Sequence, residues 1–409
     1  MASVGARVVV CVGAVFLTAV VVAVAVALLA TAASPHTAGR NVEGPEGLGL
    51  GASARSAGNA SSAGGAGSAG SAGQRLLEPL QEPYAALNLV PPPSPSRYCF
   101  SVPFVLQDGV PLVAVRITSQ PNLFVCVADT GSMELNLSGS GCARCDRGYG
   151  QYQHTPALDA ADSQVLTYGT QRDVVKQVHD ELQFHAGGQV YPLHLCVTVE
   201  RTKSLSNFNV LGLQDGRAGQ SQDEVSNSTE GVLGNVFGDQ HSLLVRFDAT
   251  NGDGTLAGVT AAGAAAFRRR ATLAVPLTWS DMGFFMTRVD AVQVGGARIA
   301  TTARLIIWDT GSNLTSLPKL TFAKCVRGLR ARQPLTFWLD GGAAFVVEAE
   351  QYMWHNRRDL MVDDDLQVLG PKAPGYIIMG AYCMQGYQLL FTPDRLFFAP
   401  AELGPIETL

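Results

Sequence analysis

Two aspartates carry the chemistry this sequence offers. Asp129 ends an apolar run in CVADTGSMELNL, residues 126–137, and Asp309 ends another in LIIWDTGSNLTS, residues 305–316. The same Thr-Gly-Ser follows each. A lone Asp-Thr-Gly closes many strands as a simple turn, whereas the same four letters after two apolar runs imply a pair. Two buried carboxylates facing each other cannot both ionise, because desolvation and mutual repulsion oppose the second charge. Such a pair shares one proton, so one member is a base and the other an acid at the same pH. A water between them could lose a proton to one aspartate while the other protonates a peptide carbonyl. That is general acid–base hydrolysis needing no metal and no cofactor.

The neighbouring residues suit this task. Gly131 and Gly311 would let backbone N–H groups approach the carboxylates, where a side chain would block them. Ser132 and Ser312 could donate hydroxyl hydrogen bonds to the carboxylate oxygens, and Thr130 and Thr310 could bond across from one loop to the other.

The elements that must hold these loops read as all-β. With 47% hydrophobic and only 15% charged residues in 409, the chain can bury the cores of two ordinary domains. From Tyr98 onward, short apolar runs alternate with turn signals. LVAVRITS, LFVCVA, ELQFHAGGQVYPLHLCVTV, ATLAVPLTW, DAVQVGGARI and LTFWLDGGAAFVVEA read as strands, several turning at Gly-Gly. Helix is expected only at 317–330 and around 233–246. The two motifs divide this part into halves at 98–270 and 271–409. In each half a later apolar pair plus Gly follows the motif, VLG at 210–212 (preferred on spacing over VLG at 232–234) and IMG at 378–380.

The N-terminal quarter is different. Residues 8–33 carry no charge and exceed the ~7–15 residues of a secretory apolar region, reaching the ~20 a membrane span needs. Residues 1–33 are therefore expected to be an uncleaved anchor, with cleavage after ATA at 30–32 as the alternative, which would make the protein secreted. Either route delivers the remainder to a secretory or endosomal lumen or the cell exterior. Residues 34–97, rich in Gly, Ala, Ser and Pro, read as a disordered tether.

A net charge of −5 with scattered Lys and Arg gives no reason to expect nucleic acid as a partner. The one dense basic run, Arg268-Arg269-Arg270, reads as a solvated loop or strand edge. Outside the apolar segment, Cys99, Cys126, Cys142, Cys145, Cys196, Cys325 and Cys383 could form at most three bridges in an oxidising compartment. Cys142 and Cys145, with no second CxxC or His pair in reach, are expected to form a small loop disulfide and not a zinc site. Of the glycosylation sequons, Asn59 and Asn227 lie in polar stretches, whereas Asn136 and Asn313 lie beside the two loops and are expected to be unused.

On these motifs, residues 98–409 resemble a pepsin-like (family A1) aspartic protease of the two-lobed eukaryotic kind. The resemblance extends to LTYGT at 166–170, GFFMTRVDAVQVGG at 283–296, and LTFWLDGGAAFVVEAEQYMW and YIIMGAYCMQGYQLLFTPDRLFFAPA near the end. It implies a bilobal fold with the cleft between lobes, Asp129 and Asp309 as the catalytic dyad, and Tyr168, Gly169 and Thr170 in a flap over an extended peptide. It also implies a monomeric catalytic unit.

Departures from the family pattern accompany the likeness. Asn136 stands where a tryptophan usually braces the flap tyrosine, and Gln171 replaces a flap glycine. Trp308 replaces a smaller residue, Gly380-Ala381 replaces Gly-Asp, and no second-lobe cysteine pair is recognisable. The tether holds only Arg40, Arg55, Arg75 and Arg97, so a basic inhibitory prosegment is not expected. Full protonation of the 34 acidic residues would leave 29 Lys and Arg plus seven His repelling one another, which predicts a mildly acidic optimum. The alternative from another class is a protease-like binding module with weak or no turnover.

Overall fold

The computed structural model describes residues 9–11 and 97–404, except 108, 169–170, 186–187, 203–207, 215–230, 238–241, 249–252, 280–282, 355–364, 367 and 370–374. The described chain is mostly β-strand, in a fourteen-stranded sheet and a nine-stranded one. The larger sheet runs through Ser163–Tyr168, Gln171–Gln183, Val190–Arg201, Leu135–Ser138, Asn209–Gly212, Leu123–Asp129, Val110–Ile117 and Tyr98–Gln107. It continues through Gly254–Val259, Leu243–Phe247, Tyr387–Phe391 and Arg395–Pro400 to Leu273–Pro276. Strands from the two ends of the described chain thus lie in one sheet, because Leu243–Phe247 pairs antiparallel with Tyr387–Phe391.

The smaller sheet follows the path Ala343–Val347, Leu335–Leu339, Phe285–Val294, Leu305–Trp308, Tyr376–Met379 and Thr315–Ser316 to Val368–Leu369. Its hairpins turn where the sequence places Gly-Gly: Val294 pairs with Ala297, and Leu339 with Ala343. The strands that end in the aspartate motifs are interior in both sheets, which is why they read as unbroken apolar runs without alternation.

Lys319–Arg330 is helical, and its apolar stripe packs Cys325 and Leu329 inward. The second expected helix is only partly one, since helix Val232–Phe237 gives way to strand Leu243–Phe247. The arginine triplet requires a correction. It is neither loop nor strand edge but the last turn of a helix, Ala261–Arg270. Thr260 caps that helix, its Oγ1 accepting from Gly263 N at 3.2 Å. Three arginines there face the carbonyl end, where positive charge is favoured. Arg268 lies over the Phe397 ring at 5.3 Å, and Arg270 donates to the Gly404 carbonyl at 2.8 Å. Small alanines in place of a bulky stripe hid the helix, although alanine is the best intrinsic helix former.

Cys142 and Cys145 form a disulfide with their α-carbons 5.4 Å apart. Cys99, Cys126, Cys196, Cys325 and Cys383 are unbridged. Burial pushes Cys196 and Cys383 up to about 12 and Cys325 up to about 11, so none of these three is a reactive thiolate near neutral pH.

Of the expected anchor, only Val9–Cys11 falls among the described residues, as a short strand parallel to Leu166–Tyr168. The rest of residues 1–33, and 34–96 of the tether, lie outside them. No described helix is long and apolar enough to cross a membrane.

Candidate functional site

Both aspartates sit on the same local scaffold, built twice. Strand Leu123–Asp129 pairs antiparallel with Val110–Ile117 on one side and parallel with Asn209–Gly212 on the other, with Asp129 opposite Gly212. Strand Leu305–Trp308 pairs antiparallel with Phe285–Val294 and parallel with Tyr376–Met379. After each motif the chain turns back, so that Leu135–Ser138 and Thr315–Ser316 pair antiparallel with the far side of those parallel strands. The first glycine-ended strand is therefore 209–212, and 232–234 belongs to a helix.

Gly212 and Gly380 mark where these chains cross. A β-carbon on Gly212 would lie 2.5 Å from the carbonyl carbon of Met133, and one on Gly380 the same distance from that of Leu314. Backbone hydrogen bonds complete each crossing. Leu213 N donates to the Asp129 carbonyl at 2.7 Å, and Ala381 N to the Ser312 carbonyl at 2.8 Å.

The two motif loops face each other across a near-symmetric set of bonds. Thr130 N donates to Thr310 Oγ1 at 3.1 Å, and Thr310 N to Thr130 Oγ1 at 2.9 Å. Each threonine hydroxyl then donates onward, Thr130 to the Trp308 carbonyl at 2.8 Å and Thr310 to the Ala128 carbonyl at 2.6 Å. Both threonines are fully buried, so each of these groups is satisfied only by the opposite loop.

Within each loop the carboxylate is held by its own motif. Gly131 N donates to Asp129 Oδ1 at 2.8 Å, and Ser132 Oγ to Oδ2 at 2.6 Å. Gly311 N and Ser312 N donate to Asp309 Oδ1 at 3.0 and 3.1 Å, and Ser312 Oγ to Oδ2 at 2.7 Å. The glycines also bring the two acids together. A β-carbon on Gly131 would lie 2.7 Å from Asp309 Oδ1, and one on Gly311 would lie 2.2 Å from the Asp129 carboxyl carbon. The two carboxyl groups are thus close enough for the state of each to govern that of the other.

Asp129 is 2% exposed and Asp309 0%. Burial raises the pKa of both, since it disfavours the charged form. For Asp129 the Ser132 hydroxyl and the Gly131 N–H oppose that shift. Asp309 is pushed well above the usual carboxylate range by burial and then by the negative charge of Asp129. The pair therefore titrates as a unit and retains one proton above the range where free carboxylates lose theirs, with Asp309 the member pushed towards holding it.

Residues that the motifs alone do not reveal complete the setting. Trp308 is fully buried, its Nε1 donating to Thr287 Oγ1 at 3.0 Å, and its ring meets Phe345 and Phe398 at 5.2 and 5.1 Å. The large residue before Asp309 thus fills a packed aromatic core. Asn209 ties the first scaffold together, accepting from Ser138 N at 2.8 Å and donating to the Tyr149 carbonyl at 2.7 Å. No signal short of the fold itself singles out Thr287 or Asn209.

Asn136 is 3% exposed within its strand, and its Oδ1 accepts from Thr198 Oγ1 at 2.9 Å. A glycan cannot occupy that place in the folded protein, so intact-mass and glycopeptide measurements are expected to find Asn136 unmodified. Tyr168 ends strand Ser163–Tyr168 and pairs antiparallel with Gln171 at the start of strand Gln171–Gln183. Gly169 and Thr170 lie outside the described residues, as does the placement of the Tyr168 side chain.

No family model matches the sequence, and neither does any curated protein. Solved structures do match. The chain is similar to the aspartic proteinase from Irpex lacteus, with a TM-score of 0.57 and 18% sequence identity, over 73% of this chain and 96% of that one. At that identity the likeness establishes the fold, the two-lobed all-β architecture of that proteinase.

Proposed function

We propose that this chain is an aspartic endopeptidase. One observation carries the reading: two buried carboxylates, on matching loops locked by reciprocal threonine bonds, face each other at close range. A structural role gives no reason to bury two acids face to face, because the arrangement costs stability whenever the pair ionises. In the proposed reaction Asp129, ionised, takes a proton from a water bound between the carboxyl groups. Asp309, protonated, donates to the carbonyl oxygen of the peptide bond under attack. The resulting gem-diol intermediate collapses as its C–N bond breaks: the amine leaves with the proton held by Asp129, and one hydroxyl of the intermediate returns its proton to Asp309 as the acid's carbonyl forms, which restores the one-proton dyad. Ser132 and Ser312 keep the carboxylates oriented throughout, and the cross-bonded threonines keep the loops from separating.

The substrate would be an extended peptide, covered by the hairpin that ends in Tyr168, Gly169 and Thr170. Residues 98–270 and 271–409 would be the two lobes, acting as a monomer. The apolar segment at 8–33 and the tether at 34–97 would place the enzyme on a membrane, facing a secretory lumen or the cell exterior. The binding-module alternative is favoured by one detail, that Asn136 bonds Thr198 in the place expected of a flap-bracing tryptophan.

A peptide library incubated with the purified protein between about pH 3 and pH 7 distinguishes them. The endopeptidase reading expects cleavage that peaks at mildly acidic pH and is suppressed by pepstatin. Pepstatin binding without cleavage at any pH would support the binding module instead.

A further inference from the structure

We propose that His179 and His194 form a binding site for a divalent transition metal, with Zn2+ as the ion the geometry fits. The two lie directly opposite each other on strands Gln171–Gln183 and Val190–Arg201. Their neighbours Val178, Asp180, Leu193 and Leu195 are buried, so the alternation of the pleat turns both imidazoles outward on the same face, where both are exposed. The ladder is in unbroken register from the Val175–Thr198 pair to the Gln183–Val190 pair, which fixes where both rings start. Directly opposed cross-strand residues are the closest side-chain neighbours a sheet provides.

The ring separation carries the assignment. The two ring centroids are 5.2 Å apart with planes 77° to one another. A metal bound at about 2.0–2.1 Å by an imidazole nitrogen lies roughly 3.2 Å from the ring centre, and a tetrahedral angle of about 109° then sets two such centres ~5.2 Å apart. The rings therefore need only rotate in place to chelate a tetrahedral ion. Among the described residues no third His, Cys, Asp or Glu joins them, so the other two positions are open to water or an exchangeable ligand. Two neutral nitrogen donors select Zn2+, Cu2+ or Ni2+ over Mg2+ and Ca2+, which require oxygen. A bound ion would staple the strand that also forms one side of the Tyr168 hairpin.

Calorimetric titration of the purified protein with ZnCl2 tests this. One equivalent is expected to bind at this site without competition from MgCl2 or CaCl2. His179→Gln and His194→Gln should each weaken that binding by about tenfold or more. The double variant should bind no more weakly than either single one, since losing one ligand already breaks the chelate. Co2+ should give the visible absorption of a tetrahedral centre in the wild type and in neither variant. Zn2+ should raise the melting temperature of the wild type alone. Binding left unchanged by either substitution, or no binding at all, would overturn the proposal and leave the pair as ring packing only.

Discussion

Asp309→Asn and Asp129→Asn are each expected to lower kcat for peptide cleavage by about 10⁴-fold or more, while the protein stays folded. General acid–base groups typically supply 10²–10⁴-fold each, and here one substitution removes both functions, because the shared proton has no second site. Asparagine keeps the size and one acceptor oxygen, so Gly311 N and Ser312 N still find their partner at position 309. The result is checked by single-turnover cleavage beside a thermal melt. Undiminished cleavage by either variant would remove the dyad as the source of activity.

The same variant has a stability signature of opposite sign. Burial raises the Asp309 pKa above its value of 3.8 in an unfolded chain. A group raised on folding contributes its stability fully below the unfolded value, and that contribution is lost as pH rises through the folded one. Asp309→Asn cannot ionise. It should therefore match the wild type in strong acid and be the more stable of the two near neutral pH, as measured by denaturant unfolding at both. An inactive variant that is also less stable at neutral pH would point instead to a collapsed loop.

How much of this was legible beforehand depends on the range over which each feature is determined. The motif loops are local. Asp-Thr-Gly-Ser after an apolar run specifies a strand end, a tight turn and donors aimed back at the carboxylate, all within four residues. The hairpins at Gly295-Gly296 and Gly341-Gly342 are local too. The parallel partners 209–212 and 376–379 are not, since each arrives tens of residues later and shares only an apolar pair and a glycine with its counterpart. The place of Trp308 is set by Phe345 and Phe398, which reach its ring from distant hairpins. The arginine-ended helix is not legible in the sequence because alanine buries without the large residues that make a 3.6-residue stripe visible. Strand Tyr387–Phe391 joins the larger sheet through Leu243–Phe247, a pairing that no periodicity within either strand discloses.

Gly311→Ala is expected to lower the rate of cleavage by roughly 10²-fold, although it removes no chemical group. Its new β-carbon would stand 2.2 Å from the Asp129 carboxyl carbon and 2.3 Å from Oδ1, inside van der Waals contact by more than an ångström. One of three things must then move, and each is pinned. The Asp129 carboxylate is held by Gly131 N and Ser132 Oγ. The loop itself is held by Thr310 on one side of the glycine, through Thr130 Oγ1 and the Ala128 carbonyl. On the other side it is held by Ala381 N at the Ser312 carbonyl. Forcing a methyl into such a site costs about 1–3 kcal/mol of stability, and separating the carboxylates by even 1 Å costs roughly 10²-fold in rate. Gly131→Ala meets a softer clash, 2.7 Å to Asp309 Oδ1, and should rank below it in both measures. Gly141→Ala, with nothing within 4 Å of its new atom, serves as the control and should stay within about 0.5 kcal/mol of wild type. Cleavage kinetics and denaturant melts of the three variants test the order. If Gly311→Ala cleaves like the control, the two carboxylates do not work at the close range the loops impose, and the shared-proton mechanism fails with it.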